Sequence, residues 1–530
     1  MTSGQETTFD GPTHMQTIAQ FTKGLRDGDF PVRWGDGFAR YGMPIPLVSQ
    51  QLTAYIGAGI ALITDNIQLA YRSTFFIGAW LSALLMYYFL RQHVSQHGAF
   101  VGAFLFNFAP YRILNIYLRG ALPEFFASVC VLISLIGLEV LFRSDTKHRK
   151  WGHVIWVLGI AGIILTHPFM LIISSPLIGG YALYRLAGLE TARDRFRMIG
   201  LLGIGGGIAC LISSYYVLPL LVEIKYFHYA SAQTHYVANQ FLTLRGYFLE
   251  TWEFFGRDVA TRGNILQGGV IESVILVIGL GVGLLQLFRK RAVGLLGVVS
   301  GIGLIYAVST LSVAEPVYLY TYMSNIQHPW RMLSGLILVV PIIGALLTQK
   351  VPRKLQFWVL VGVMCIVSWM RFPQLYTKNS IQVEEESYYV THENTHGLIM
   401  NTVWMGDARD YSYMSYKGAI LEGEGKISMR VERNSQRTYE VVAQSALRMV
   451  DYTFYFPGWH VYVDGIEVPI QFQDPSFRGI ITYEVPEGTH DVKVVFENTR
   501  IRLIANVLSV IGLLCLVGYS ILLPRFFKKK

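Results

Sequence analysis

The chain has 530 residues, of which 52% are hydrophobic and only 15% are charged, and its formal net charge is +9. A soluble domain of this size carries nearer a quarter charged residues. The apolar residues fall in blocks long enough to cross a hydrocarbon core of roughly 30 Å, so the composition indicates an integral membrane protein with many spans. The basic residues form short clusters between these blocks, which is the pattern of cytoplasmic loops, so no nucleic-acid partner is expected.

The N-terminal segment carries the first candidate catalytic group. In FDGPTHMQ, Asp10 and His14 are four residues apart, and a helix that starts after Pro12 would place both at its N-terminus. A carboxylate beside a histidine can act as a general base, although a simple helix cap by Asp10 explains the same pattern. The next motif, GDFPVRWGDGFARYG, contains Arg33, which can hold a phosphate through paired hydrogen bonds. The alternative for this motif is a loop that Trp and Tyr anchor at the membrane interface.

Residues 44–64 form the first apolar stretch, but its first half contains two prolines, a serine and two glutamines. We therefore predict a helix that lies on the outer membrane surface without crossing it, which makes residues 1–68 an extracytoplasmic loop. No signal or anchor is evident before residue 44. Either a first transmembrane helix is missing from this chain, or counting spans assigns this segment to the wrong side of the membrane.

The transmembrane bundle is predicted over residues 69–371, and residues 501–530 add a last transmembrane helix and a basic cytoplasmic tail. The resulting topology is that of a multi-pass protein of the cell membrane. The four cysteines all lie in apolar blocks, which indicates core residues rather than a disulfide or metal framework. Length and flanking charge give about eleven spans, namely 69–90, 98–115, 120–142, two within 151–187, 198–222, 266–288, 292–312, 333–349, 355–371 and 503–524.

Two polar clusters interrupt the apolar spans. In PYRILNIYLRGALPE, Arg112 and Arg119 are seven residues apart and so share a helix face, with Glu124 close behind. They are either snorkelling anchors or a functional pair inside the bundle. In NIQHPWRML, His328 and Arg331 precede another span, and an interfacial Trp–Arg belt is the plain alternative. All these clusters are predicted at the outer membrane surface, where acid, histidine and arginine suit chemistry on a lipid-linked phosphate.

Residues 372–500 differ in composition from the rest of the chain. Charged residues are more frequent there, and apolar residues tend to recur at every second position. Short strand-like runs and turns at 463–465 and 486–488 predict an extracytoplasmic domain resembling a β-sandwich, with hairpins at both turns. Aromatic side chains in a small β-domain are more often core residues than a sugar-stacking platform. Both interpretations stay open for Tyr452, Phe454, Phe456, Trp459 and Tyr462.

The motifs, in their order along nearly the whole chain, resemble the bacterial YfhO-like membrane proteins and the related "6-pyruvoyl-tetrahydropterin synthase-related" membrane proteins. Both groups are similar to the GT-C glycosyltransferases. The motifs that carry the resemblance are DGPTHMQ, LRDGDFPVRWGDGFARYGMPI, APYRILNIYLRGALPE, the span with His167, YYVLPLLVE, IQHPWRML, YFPGWHVYVDG and VPEGTHDV.

The resemblance implies a first transmembrane helix, a long outer loop with an essential acidic residue, and a GT-C-like helical bundle. It also implies a polyprenyl-phosphate sugar donor and an acceptor that is a glycan, a lipid or a cell-wall polymer. The first helix should precede Asp10 and is absent here. From the resemblance as a whole, we expect a glycosyltransferase in which Asp10 is the base and His14 orients either Asp10 or the donor. The expected substrate-binding residues are Arg33, Arg112, Arg119, Glu124, His328 and Arg331.

In this scheme the arginines stabilise the leaving phosphate, and Glu124 orients Arg119. No cofactor is certain; a divalent metal is compatible with the sequence, but no cluster of metal ligands indicates one. The alternative function is a non-enzymatic transporter or scaffold for lipid-linked glycans, whose polar residues would line a path at mid-membrane depth. A third is a membrane anchor that binds sugar only through its β-domain.

Overall fold

A computed structural model of the protein describes residues 5–6, 8–143, 146–228, 241–248, 268–290, 293–321, 323, 326, 328–372, 375, 380–381, 385–389, 401–407, 410–412 and 414–527. The predicted basic tail at 528–530 lies outside these residues, as do parts of the predicted domain between 373 and 413. Within the described residues, the chain forms a helical bundle followed by two antiparallel β-sheets and a last long helix.

The helices follow the apolar blocks of the sequence. In chain order they are α1 (Gly11–Arg26), α2 (Ile45–Val48), α3 (Gln51–Thr64), α4 (Ile67–Leu90), α5 (Gln96–Asn107), α6 (Pro110–Leu114), α7 (Leu122–Leu141), α8 (Thr146–Thr166), α9 (Pro168–Ala187), α10 (Ala192–Ile212), α11 (Ser214–Glu223), α12 (Arg245–Phe248), α13 (Val270–Lys290), α14 (Leu295–Ser309), α15 (Glu315–Tyr320), α16 (Leu333–Thr348), α17 (Arg353–Arg371) and α18 (Arg500–Phe527).

Local sequence signals set where several helices begin. The side chain of Asn66 accepts a hydrogen bond from the Leu69 amide at 2.6 Å and so caps α4. Proline occupies the first turn of α7 at Pro123 and the first position of α9 at Pro168, where its missing amide hydrogen costs nothing. These two helix starts matter for function, because they place polar side chains at the same end of the bundle.

Eight helices in the described residues are long and apolar enough to cross a membrane, namely α4, α7, α9, α10, α13, α16 with the turn before it, α17 and α18. A ninth span arises if α5 and the helical segment Pro110–Arg119, bent by 41°, count as one. The predicted number of eleven spans is therefore not confirmed. The stretch at α8 begins with basic residues, and α14 has 15 residues, a length of about 23 Å.

The helix α7 is the centre of the bundle, because 94% of its 18-residue apolar stretch is buried inside the protein. The outer helices instead expose apolar side chains to the surroundings, as expected for lipid contact. The cysteines show the same difference: Cys130 on α7 is buried, whereas Cys210, Cys365 and Cys515 are exposed. The predicted core position is wrong for these three residues, because an apolar membrane helix has a lipid-facing side as well as a core side.

The predicted surface helix at 44–64 is divided in the structure into α2 and α3. The helix α3 has 14 residues, about 21 Å, and it packs against α1 and α4. Its length falls short of the roughly 30 Å hydrocarbon core. That it does not cross the bilayer remains a prediction.

The β-region consists of a five-stranded sheet in the order β4-β5-β10-β7-β8 and a three-stranded sheet in the order β3-β6-β9. A separate pair joins β1 to β2. The strands are β1 (Gln5–Glu6), β2 (Ser380–Ile381), β3 (Gly418–Glu422), β4 (Gly425–Arg433), β5 (Gln436–Ala443), β6 (Leu447–Phe454), β7 (Trp459–Val463), β8 (Ile466–Val468), β9 (Ile480–Val485) and β10 (Gly488–Phe496).

The two larger sheets share one hydrophobic core, to which Tyr439 and Val461 contribute from one sheet and Met449 and Tyr483 from the other. Of the five aromatic residues considered for sugar stacking, four are buried and only Tyr462 is partly exposed; the buried four are Tyr452, Phe454, Phe456 and Trp459. These four side chains therefore belong to the core.

One of the two predicted hairpin turns is present. Asp464 and Gly465 connect β7 to β8 with φ angles of 51° and 82°, as a tight hairpin turn requires. The other prediction is wrong, because Pro486 and Glu487 connect β9 to β10, and these strands pair in different sheets. The local turn signal could not reveal that the chain changes sheets here.

The N-terminal loop inserts into the β-region. Trp34 is fully buried in the shared core, with its ring 5.1 Å from that of Trp459. The Asn434 side chain donates to the Trp34 carbonyl and to the Asp29 carboxylate, both at 2.8 Å, and accepts from the Asp36 amide at 3.1 Å. The loop and the β-region are therefore packed against each other, and that both lie on one side of the membrane remains a prediction. That this side is extracytoplasmic is a further prediction.

We predict that Trp34→Ala destabilises the protein by roughly 3–5 kcal/mol, the usual range for removing a large aromatic side chain from a core. Denaturant unfolding of the purified protein in detergent measures this change. The matched control is Trp80→Ala, because the Trp80 side chain on α4 is 58% exposed. Equal stability of the two variants would mean that the loop is not held by the β-region.

Candidate active site in a polar cavity

Several of the predicted site residues meet at one cavity of about 180 Å³ near one end of the bundle. Its walls come from α1, the start of α7, and the turns that precede α3, α9 and α16. The lining residues are Asp10, Thr13, His14, Thr17, Gln50, Arg119, Ala121, Pro123, Glu124, His167 and Arg331.

The backbone beside the cavity has an uncommon form. Residues Asn115–Arg119 make a π-helical turn, a feature that often marks functional sites. It ends at Gly120, whose φ of +66° favours glycine, and a Cβ there would lie 2.4 Å from the Thr8 hydroxyl oxygen. The Asp10 amide donates to the Arg119 carbonyl at 2.6 Å. The turn thus fixes the backbone of Asp10 against that of Arg119.

Glu124 is the buried anion of the site, with a side chain that is 2% exposed. Its Oε2 accepts from Arg119 Nη1 at 2.8 Å, and its Oε1 accepts from the hydroxyls of Tyr111 and Ser334, both at 2.6 Å. The same Arg119 nitrogen is 2.8 Å from Asn115 Oδ1. A buried charge is tolerated only when it is paired and hydrogen-bonded, as this carboxylate is.

A second guanidinium lies on the other side of this carboxylate. Arg331 Nε is 3.8 Å from Glu124 Oε2, and Arg331 Nη1 donates to the Ile326 carbonyl at 3.2 Å. The guanidinium of Arg119 also lies 4.7 Å from the centre of the Trp330 ring. One carboxylate therefore holds two arginines at the cavity, and an aromatic face keeps one of them in place.

Asp10 is the more accessible of the two carboxylates in the cavity. Its Oδ2 is 3.5 Å from Arg119 Nη2, and 44% of its side chain is exposed. Partial burial raises the pKa of the Asp10 carboxyl, while Arg119 and Arg331 act in the opposite direction. Among the described residues its side chain makes no capping hydrogen bond to α1, although Asp10 occupies the cap position. The simple-cap interpretation is therefore wrong.

His14 lies one helical turn beyond Asp10 and lines the same cavity. Burial, with a smaller effect of Arg119, lowers the pKa of His14 to about 3, so the imidazole is neutral at physiological pH. His328 is placed differently, since its ring stacks on Trp330 with 4.8 Å between ring centres instead of lining the cavity. Burial, followed by Arg331, lowers the pKa of His328 to about 4.

Two predicted substrate-binding arginines lie elsewhere. Arg33 donates to the Tyr215 carbonyl and to Asn506 Oδ1, both at 2.7 Å, and so joins the N-terminal loop to α11 and α18. Arg112 is buried and donates to the Ser128 and Ser82 hydroxyls.

Arg112 and Arg119 do not share a helix face as predicted. The reason is the π-helical turn between them, which changes the residue period that the prediction assumed. Neither Arg33 nor Arg112 lines the cavity, and each binds other parts of the protein in this structure.

Sequence reasoning missed His167, Gln50, Thr13 and Thr17 as parts of the site. His167 lies at the cap position of α9, and its Nδ1 is buried without a hydrogen-bond partner among the described residues. A signal for it existed, because a His-Pro pair interrupts a long apolar stretch. The other three are ordinary polar residues that only the packing of α1 brings to the cavity.

The described residues contain no group of three or more His, Cys, Asp or Glu side chains arranged to hold a metal ion. In the cavity, Glu124 is already engaged by Arg119 and by two hydroxyls, which leaves Asp10 as the accessible carboxylate.

The fold and the cavity define a polytopic membrane protein with a polar site at one end of its bundle and a β-region that packs against the loop following α1. A model of the family described as "6-pyruvoyl-tetrahydropterin synthase related domain; membrane protein" matches residues 51–376, and the chain belongs to this family. The resemblance inferred from the motifs is thereby confirmed. The matched range contains Arg119, Glu124 and Arg331, whereas Asp10 and His14 lie before it.

No curated protein matches the chain. Among solved structures, the chain is similar to the oligosaccharyltransferase of Archaeoglobus fulgidus, crystallised in a complex with Zn and sulfate, with 14% sequence identity and a TM-score of 0.37. The alignment covers 72% of this chain and 50% of that one, so the chain spans about half the length of that protein.

Proposed function

We propose that the protein is a GT-C-type glycosyltransferase that moves a sugar from a polyprenyl-phosphate carrier to an acceptor on the outer face of the membrane. One observation carries the proposal: Asp10, Arg119 and Arg331 converge on a single cavity at the end of the transmembrane bundle. An accessible carboxylate beside two fixed guanidiniums is the arrangement that proton transfer and phosphate departure together require.

The two guanidiniums of the cavity are the groups that can meet the negative charge of the donor. Arg119 and Arg331 face Glu124 and Asp10, so the two cations and two anions cancel when Asp10 is ionised. A polyprenyl-phosphate sugar is a phosphodiester and brings one further negative charge. As the sugar leaves, the phosphate gains a second charge, which guanidiniums already in position stabilise without reorganisation.

The reaction follows from these positions. The acceptor hydroxyl oxygen attacks the anomeric carbon of the donor sugar, and the bond from that carbon to the phosphate oxygen breaks. The bonding electron pair leaves with the phosphate, next to Arg119 and Arg331. Asp10 takes the proton of the hydroxyl and later releases it to water. The raised pKa of Asp10 makes this carboxylate a better base than an exposed aspartate.

The proposal places the cavity on the extracytoplasmic side, with four regions of the chain. Residues 1–68 form the loop with Asp10, residues 69–371 the bundle, residues 372–500 the β-domain, and residues 501–530 the last helix and cytoplasmic tail. The basic loops of the sequence support this orientation. Membrane lipids surround the bundle, and the acceptor is a glycan, a lipid or a cell-wall polymer.

The transporter alternative finds less support. A second polar cluster, in which the Glu139 carboxylate accepts from Tyr181 and Arg185, lies 15 residues further along α7 than Glu124, about 22 Å away. The stretch of α7 between the two clusters is apolar apart from two serines. Arg112, bound to Ser82 and Ser128, lies one helical turn beyond Glu124. From there to Glu139 the described residues of α7 do not form the continuous mid-membrane polar path that transport would use.

We predict that Asp10→Asn lowers the rate of sugar transfer by about 10²–10⁴-fold, the usual contribution of a general base. Asparagine keeps the size of the side chain but cannot take a proton. The measurement is transfer of a radiolabelled sugar from a polyprenyl-phosphate donor to membrane acceptors. The wild-type rate should also fall as Asp10 is protonated at acid pH, and the residual rate of the variant should lack this acid limb.

The matched control is Asp65→Asn, because Asp65 is 80% exposed and pairs with Arg26 at the other end of α1. This control should retain the wild-type rate. Equal rates for the Asp10 and Asp65 variants would remove Asp10 from the chemistry.

We predict that Arg331→Lys lowers kcat by about 10²–10³-fold, because lysine keeps the charge but loses the planar donor pair toward the leaving phosphate. Lysine is preferred to alanine here, since removing a partner of the buried Glu124 would itself destabilise the protein. Single-turnover kinetics separate this loss from weaker donor binding. Arg430→Lys, at a half-exposed position on β4, is the control; a similar kcat for both variants would contradict the assigned role.

A further inference from the structure

A second cavity, of about 730 Å³, lies in the β-region where the chain leaves β10 and enters α18. It has about four times the volume of the cavity with Asp10 and shares no lining residue with it. Its residues come from the loops around β7 and β8 and from the segment Asn498–Arg500. The function proposed above does not use them.

The cavity has an aromatic wall. The rings of Tyr455 and Phe472 stack with 3.7 Å between their centres and an angle of 2° between their planes. The Trp404 ring stands at 77° to that of Tyr455, with 5.2 Å between centres, and so supports the pair from outside the cavity. The outer face of such a stacked pair can pack against the C–H face of a sugar ring, and ligand sites commonly combine an apolar wall with a few polar groups.

The polar groups of the cavity are a donor and acceptor pair at its edge. His460 Nδ1 lies 2.6 Å from Glu467 Oε1, on the hairpin formed by β7 and β8. The two side chains are 35% and 57% exposed, so both can contact a ligand. Asn498 and Arg500 add side-chain donors and an acceptor for hydroxyl groups, whereas the Thr499 hydroxyl donates to Glu223 at 3.2 Å.

The charge of the cavity separates two classes of ligand. Arg500 and Glu467 bring one positive and one negative charge to the lining. Arg502, two residues further on, is buried and bound to Glu223, with both carboxylate oxygens at 3.1 Å, so it adds no free positive charge. Anionic lipid headgroups are typically bound by clusters of Lys and Arg side chains, and this lining has one such side chain, Arg500. The balanced charge and the aromatic wall instead favour a neutral saccharide.

We propose that this cavity binds a neutral oligosaccharide at the membrane-proximal end of the β-region. The helix α18 starts at Arg500 and is one of the candidate spans, so the cavity lies close to the level at which the chain enters the bilayer. A glycan carried on a lipid or on a wall polymer reaches that level. The inference stands on the chemistry of this cavity and does not depend on the transfer reaction.

Binding is tested on the full chain in detergent micelles, by saturation-transfer NMR titration with neutral trisaccharides of hexoses and of N-acetylhexosamines. Glu467→Gln removes a charged acceptor at an exposed position, so the fold should persist. We expect Glu467→Gln and Phe472→Ala each to weaken binding by about tenfold or more. The matched control is Glu432→Gln, on β4 at the opposite edge of the same sheet, and it should bind as the wild type does.

The inference fails if none of the trisaccharides binds, or if Glu467→Gln and Glu432→Gln bind equally well. It also fails if short-chain phosphatidylglycerol displaces the saccharide, since the cavity would then be a headgroup site. Asp10→Asn should bind the trisaccharide with unchanged affinity. A loss of transfer with intact saccharide binding therefore concerns the first cavity alone, and a loss of saccharide binding concerns the second.

Discussion

The candidate site depends on the buried carboxylate of Glu124. Its negative charge lies in an apolar bundle and is stable only because Arg119, Arg331 and two hydroxyls surround it. Meeting that requirement brings the start of α7, the π-helical turn and the turn before α16 together at one point. The two guanidiniums are therefore held in position before a substrate arrives, which is the condition for electrostatic stabilisation of a developing charge.

Asp10 is positioned from two directions. At its own backbone, the π-helical turn accepts the Asp10 amide and so sets the distance to Arg119. At the far end of α1, the N-terminal loop enters the β-region, where Trp34 and the bonds of Asn434 fix it. The β-region thus has a structural part in the site without contributing a residue to the cavity. Loosening the loop should therefore affect Asp10 although the 16 residues of α1 separate the two.

Much of the architecture could be predicted from the sequence, because bilayer helices need long apolar blocks and the predicted spans all fall on helices. Asp10, His14, Arg119, Glu124 and Arg331 were also singled out, since polar residues are costly at such places. The sequence predicts only that these residues lie on the same side of the membrane, which does not establish that they line one cavity. Local sequence patterns do not show how the helices pack, and the packing decides which of the candidate residues line the cavity.

The failures of prediction have specific physical reasons. Arg112 was assigned to the face of Arg119 by an α-helical period, which a π-helical turn interrupts. Arg33 is predicted as a phosphate ligand, but it does not line the cavity, and its Nη1 and Nη2 donate to Tyr215 and Asn506. The His-Pro pair at His167 marks a break in an apolar stretch, but the sequence does not show that the break faces the same cavity as Asp10.

The central claim is that the cavity binds the phosphate of a polyprenyl carrier. Cross-linking with a photoreactive polyprenyl phosphate, followed by mass spectrometric mapping, tests it most directly. The account predicts labels on the cavity wall, at Thr13, Gln50 and His167, and their loss when unlabelled polyprenyl phosphate competes. Labels confined to lipid-facing side chains such as Trp80 and Leu514, unaffected by the competitor, would contradict it.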